Sequence, residues 1–237
     1  MPDAPFLVSN QLAYQARLLA RSPRALAGGA VLPILLLVIR GDGAGVAGLA
    51  VLGLLSTAYI THAGGLVSAR QAGVLKRWWA APLPRWCWFA GRKGATVVVA
   101  AAGAAATVVA GVALYGVGVD LDAALSLAVV LALGAATWAS LGTAASALIP
   151  SAEAAWPLLS ATFLPIVLLS GSFGAVSREP DWLETLMRWL PAQPIVEGAQ
   201  RALHGAAFPA LTARDAAVLA AWTVIGFVVS QRWFRWW

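Results

Sequence analysis

The chain has 237 residues, 60% of them apolar and only 11% charged, with a formal net charge of +6. An ordinary soluble domain carries about 25% charged residues, and a soluble fold cannot hide so much apolar surface behind so few charges. A disordered chain, a nucleic-acid-binding domain and a water-soluble enzyme of this size are excluded, and the composition reads as an all-α polytopic membrane protein. The mean hydropathy of +0.78 agrees. The single cysteine, Cys87, leaves no intrachain disulfide and no cysteine metal cluster.

Residues 6–21 fit an amphipathic helix ahead of the first span. At 3.6 residues per turn Asn10, Arg17 and Arg21 fall within about 40° of one another, with Val8, Leu12 and Leu19 opposite. Such a helix suits the inner membrane interface; a frayed polar leader is the alternative.

Six stretches free of Asp, Glu, Lys and Arg follow, at 25–39, 43–69, 94–119, 123–152, 154–177 and 216–231. Crossing the hydrocarbon core takes roughly 20 apolar residues in a helix, so each is a candidate span. The first and last are short, and Arg24, Arg40 and Arg232 are expected to reach toward headgroups. No connection between spans is long enough for a second domain, so residues 1–237 are expected to form one transmembrane domain. The first stretch begins late and lacks a small-residue cleavage site, which reads as an anchor and not a removed signal peptide.

Within the spans few side chains carry chemistry. Span three places Gly103, Thr107 and Gly111 four residues apart, a pattern that lets helices approach closely. Packing inside the chain is expected, a dimer seam being the alternative. Pro157 and Pro165 each remove a backbone donor from span five and favour kinks. His62, near Thr57, Tyr59 and Thr61, is the one titratable candidate. It is either a packed or hydrated residue or a proton relay.

The loops set the orientation. Arg17, Arg21 and Arg24, then Arg70, Lys76, Arg77, Arg85, Arg92 and Lys93, then Arg232 and Arg235 fall on one side of a six-span chain. The other side carries most of the acids. Basic loops stay in the cytoplasm, so both termini are expected inside a bacterial plasma membrane. The inner segment, residues 70–93, interleaves Trp78, Trp79, Trp86, Trp88 and Phe89 with its basic residues. It reads as an interfacial anchor, a docking helix for a partner, or both. The outer segment, residues 178–214, holds two short helical patterns. Trp182, Leu186, Trp189 and Leu190 share a face of the first, which Pro191 stops. Ile195, Val196, Ala199 and Leu203 lie on the second, which Pro194 opens and Gly205 ends. The pair either lids an outward exit or rests on the bilayer.

The inner-loop sequence QAGVLKRWWAAPLPRWCWFAGR, from Gln71 to Arg92, resembles the cytoplasmic loop of ABC-2 type ATP-binding-cassette exporter permeases. The matching features are Gly73, the basic Lys76-Arg77 helix, the Pro82 and Pro84 step, and Gly91-Arg92 entering span three. Ser151-Ala152-Glu153 before span five, Leu169-Ser170-Gly171 at its end, Leu190-Pro191, Gln200 to Leu203 and the Arg232 to Trp236 tail extend the resemblance over nearly the whole chain. The chain departs from the family at Ala69-Arg70-Gln71, where Glu-Arg-Glu is common, and after Ser170-Gly171, where a proline is common.

The resemblance implies a transport subunit without its own ATPase site, binding no cofactor itself, with ATP-Mg held by separate ABC ATPase subunits. No G-x-x-x-x-G-K-[ST] phosphate loop occurs in the chain. It further implies a second permease copy, in a homodimer or a similar heterodimer, surrounded by membrane lipid and with no nucleic acid. Gly73, Val74, Leu75, Lys76, Arg77 and Trp78 would form the coupling helix that docks the ATPase. Spans two and five would line the route, with Ser56, Tyr59, Thr162, Phe163 and Val167 as candidate lining residues. Apolar walls favour an amphipathic or lipid-like cargo such as a drug or antibiotic, so efflux and antibiotic resistance are the expected context. The competing class is an ATPase-independent channel or proton-coupled carrier using His62.

Overall fold

The computed structural model describes residues 4–76, 85–170 and 181–233. Among them no strand occurs, and six helices are long and apolar enough to cross a membrane. In chain order the helices are α1 (Ala4–Ala20), α2 (Pro23–Arg40), α3 (Val46–Gln71), α4 (Arg85–Tyr115), α5 (Leu121–Leu148), α6 (Ala152–Leu169), α7 (Asp181–Met187), α8 (Gln193–Leu203) and α9 (Ala213–Trp233). The spans are α2 to α6 and α9, and the protein is a multi-pass membrane protein.

Local chemistry sets most of the ends. The Asp120 carboxylate accepts the Ala123 N–H at 2.8 Å and opens α5, and Ser151 does the same for α6 through the Ala154 N–H at 3.2 Å. Thr212 and Asp215 cap α9 reciprocally, each side chain accepting the other's backbone N–H. Pro150 separates α5 from α6.

The first, third and last spans are longer than their charge-free stretches, and α3, α5 and α6 are shorter. α4 begins at Arg85, well ahead of residue 94, and carries Arg92 and Lys93 inside it. The expectation that no charged residue lies within a span is therefore corrected for the end turns. Polar partners hold these side chains: Arg92 donates to Gln15 at 2.7 Å, and Lys93 reaches Ser140 at 3.4 Å and the Phe227 ring at 5.9 Å.

The second span is the hub. Every residue of α3 from Val46 to Leu55 is buried, and α2, α4, α5, α6 and α8 all pack on it. The outer faces of α2, α4, α6 and α9 expose Leu35, Val98, Leu164 and Val224, the residues lipid would cover. α1 lies along the first turns of α4, where Gly91 and Gly94 admit Gln11 and Leu12. Its inward face is Gln15 and Leu19, while Asn10 and Arg17 are exposed, as the helical wheel requires.

Small residues make the closest crossing. Pro33 has no N–H for the turn before it, and α2 widens into a π turn over Ala27–Val31, with the Leu32 N–H reaching back to the Ala27 carbonyl. There the Gly29 backbone meets Gly53 of α3 and Gly103 of α4; a Cβ on Gly103 would fall 2.7 Å from the Gly29 oxygen. Gly111 faces Val46 of α3. The four-residue spacing of span three thus serves packing inside the chain, as expected.

Candidate functional site

A second π turn, Ser56–Thr61, sits midway along α3 and carries two of the residues expected on the route. Tyr59 turns toward α6. Its ring stacks on Phe163 at 6.2 Å between centroids and meets Trp138 of α5 edge-on at 5.4 Å. Trp138 and Phe163 close the triangle at 6.0 Å. The Tyr59 and Thr162 hydroxyls are 2.9 Å apart. The Thr162 hydroxyl also lies within reach of the carbonyls one turn back, Leu158 at 3.1 Å and Leu159 at 3.0 Å, so either hydroxyl of the pair can donate to the other.

Thr162 is exposed while Tyr59 is only 8% exposed, so the hydroxyl pair lies at the edge of the α3–α6 contact. The structure thus brings Tyr59, Thr162 and Phe163 together and adds Trp138, which sequence reading missed. Val167 is fully buried about one turn along. Ser56 is elsewhere: its hydroxyl lies against Gly28 of α2, on a different face of α3 from Tyr59.

His62, one residue past the π turn, is buried between two threonines, Nδ1 to Thr96 Oγ1 at 2.7 Å and Nε2 to Thr143 Oγ1 at 3.1 Å. Each threonine hydroxyl also reaches a carbonyl of its own helix, Arg92 at 3.0 Å and Ala139 at 2.8 Å. A neutral imidazole has one N–H, so one threonine must turn its proton to the ring. The arrangement clasps α3, α4 and α5 and matches the packed alternative for this residue.

The basic loop starts as its sequence requires. Gly73 has φ 68°, the left-handed region that glycine enters at little cost, and its N–H bonds the Arg70 carbonyl at 3.1 Å. Residues 74–76 are helical again. Leu75, expected to face a partner, is 0% exposed and packs against Leu66 and Trp88 of its own chain. Val74 and Lys76 are the exposed members of this turn. Arg77, Trp78, Pro82 and Pro84 lie outside the described residues.

Arg70 and Gln71, the latter at a position where Glu is common in the resembling family, tie this end of α3 to the α5–α6 turn. Arg70 donates to the Ser146 carbonyl at 3.1 Å and to that of Ile149, and Gln71 accepts the Ala152 N–H at 2.9 Å. The start of the basic loop and the start of α6 are thereby one mechanical unit.

At the opposite end α8 is built into the bundle. Pro194, Ile195, Val196, Ala199 and Ala202 are buried, and Ile195 fills the space left by Gly134 of α5. Arg201 pairs with Asp215 and secures α8 to α9. α7 behaves differently, with Trp182 68% exposed and Leu186 and Trp189 also exposed. α8 thus packs on α3 and α5, whereas α7 leaves Trp182 and Leu186 exposed.

Among the described residues no three His, Cys, Asp or Glu side chains converge on a metal position. A comparison with curated proteins gives no match. The family model for ABC-2 type transporters matches residues 11–203, from the inner face of α1 to the last residue of α8, and the chain belongs to that family.

Proposed function

We propose that the chain is the permease subunit of an ATP-driven exporter that moves an amphipathic or lipid-like small molecule, of the drug or antibiotic kind, out of the cytoplasm or the inner leaflet. Family membership supports the transport role. The observation that favours an amphipathic cargo is the α3–α6 contact, where one hydroxyl pair, Tyr59 and Thr162, is set among Phe163 and Trp138. Apolar walls with a few placed polar groups suit a cargo that is greasy over most of its surface.

Thr162 is exposed on the side of a single chain, so a second permease copy facing it would complete a route. ATP-Mg would act on separate ABC ATPase subunits docked at the basic loop, and its work would reach α6 through Arg70 and Gln71. His62 has no place in this scheme beyond holding α3, α4 and α5 together.

The test is Tyr59→Phe with Thr162→Val, each alone and combined. Removing the Tyr59 hydroxyl leaves the Thr162 proton on its carbonyls, so the structural cost stays at ~1 kcal/mol. Cargo-stimulated ATP turnover by the complex should change its half-saturating cargo concentration by about threefold to tenfold, as one hydrogen bond warrants, with the unstimulated rate unchanged. Stimulation identical to wild type in the double variant would remove these residues from the route.

Orientation has its own test. In a Cys87→Ser background, Ala13→Cys and Lys76→Cys, both at exposed positions, should react with impermeant thiol reagents only from the cytoplasmic side, and Ala207→Cys only from outside. Labelling of Lys76→Cys from outside would overturn both the orientation and the docking role of the basic loop.

A further inference from the structure

One feature has no place in the transport scheme, an open-mouthed cavity of about 390 Å³ at the basic end, lined by α1, the start of α2, the end of α3 with Val74 beyond it, and the start of α4. Its size is that of a small-molecule site. Arg92 lines it and is only 7% exposed. One guanidinium nitrogen donates to Gln15 at 2.7 Å. The Nε is buried and has no hydrogen-bond partner among the described residues, and none of the ion pairs among them involves Arg92. A buried cation with a neutral partner and a spare donor is costly unless an anion completes it.

The surroundings are shaped for that guanidinium. A Cβ on Gly65 of α3 would meet its terminal nitrogen, so glycine at 65 leaves room for the guanidinium where it lies. Arg24 and Ser22 line the same cavity and add a second cation and a hydroxyl. Tyr14 and Leu18, both on the cavity wall, are more than half exposed on α1 and give its mouth an apolar rim.

The geometry points to a binding site for the phosphodiester headgroup of an anionic phospholipid in this cavity, held by Arg92 and Arg24, with the acyl chains leaving over Tyr14 and Leu18. Arginine forks match phosphate oxygens two at a time. A free phosphate would meet the same cations, but only a lipid makes use of the apolar rim. A lipid so placed would fasten α1 to α3 and α4, adding to the α1–α4 packing that includes the Gln15–Arg92 bond and the contacts of Gly91 and Gly94.

The experiment is native mass spectrometry and thermal unfolding of the purified full chain in detergent, titrated with phosphatidylglycerol, with phosphatidylcholine or with inorganic phosphate. Phosphatidylglycerol should bind at least tenfold more tightly than phosphatidylcholine and raise the Tm, and inorganic phosphate should neither raise the Tm nor displace it. Arg24→Gln, at an exposed position whose loss leaves the fold intact, should reduce the preference at least fivefold. Arg92→Gln should abolish the preference, and Arg92→Lys should restore it only in part because lysine lacks the fork. Equal binding of the two lipids, or an unchanged preference in Arg24→Gln, would overturn the site. Displacement of phosphatidylglycerol by inorganic phosphate would overturn its assignment to lipid.

Discussion

Gly53→Ala should cost the protein a large part of its stability, although it adds one methyl group. The new Cβ would land on the Gly29 carbonyl, with the Pro33 ring 2.8 Å away. Neither neighbour is the free end of a flexible side chain. One is backbone and the other a ring fixed in the helix, so α2 must move away from α3 as a body. Overpacking of this kind costs about 1–3 kcal/mol, and the backbone contact puts this site at the upper end. At ~2–4 °C per kcal/mol for a chain of this size, the Tm should fall by roughly 6–12 °C. Gly64→Ala is the control, because its Cβ would meet nothing within 4 Å. There the helix-propensity gain should leave stability equal or slightly higher. Thermal unfolding of both variants in one detergent decides the matter; equal Tm values would mean that the three-glycine crossing does not hold the bundle together.

The second large effect separates two adjacent residues of the basic loop. Leu75→Ala removes a fully buried side chain from between Leu66 and Trp88. Such truncations cost about 2–5 kcal/mol, so the yield of folded protein and its Tm should both drop. Val74→Asp changes an exposed side chain and should leave the Tm nearly untouched. The proposed docking surface inverts the ranking for coupling. Val74→Asp should reduce stimulated turnover of the ATPase partner by tenfold or more, by placing a charge in an apolar contact. Lys76→Ala, at the rim, should reduce it by less than threefold. Co-purification of the ATPase with each variant supplies the readout. A Val74→Asp protein that kept its partner and its full stimulated rate would show that this turn is only an anchor on the chain's own body.

Side chains one turn apart were readable from spacing, and those a hundred residues apart were not. Six spans, the Gly73 turn, the two outer helices and the inward role of Gly103 and Gly111 follow from periodicity, glycine conformation and small-residue spacing. The inward turn of Leu75 was hidden because its partners, Leu66 and Trp88, lie on two different spans and are set by tertiary packing. Ser56 and Tyr59 were grouped because both sit on span two, yet they serve different neighbours, Gly28 and Thr162. Arg70, Gln71 and Arg92 looked like ordinary loop charge or polarity. Their roles arise from contacts with Ser146, Ala152 and Gln15, 76 to 81 residues away in the chain. The start of α4 was placed too late for the same reason, since a charge-free criterion ends a span at the first cation and Arg92 and Lys93 find polar partners inside the helix.

Export of a fluorescent amphipathic cation from sealed vesicles holding this chain and its ATPase subunit tests the central proposal most directly. Transport should require both proteins and hydrolysable ATP on the face that bears the basic loop. It should fail with the chain alone under an imposed pH gradient, and His62→Gln should retain ATP-driven transport wherever it folds. Movement of the cation by the chain alone, driven by the pH gradient and lost in His62→Gln, would contradict the proposal and identify a proton-coupled carrier.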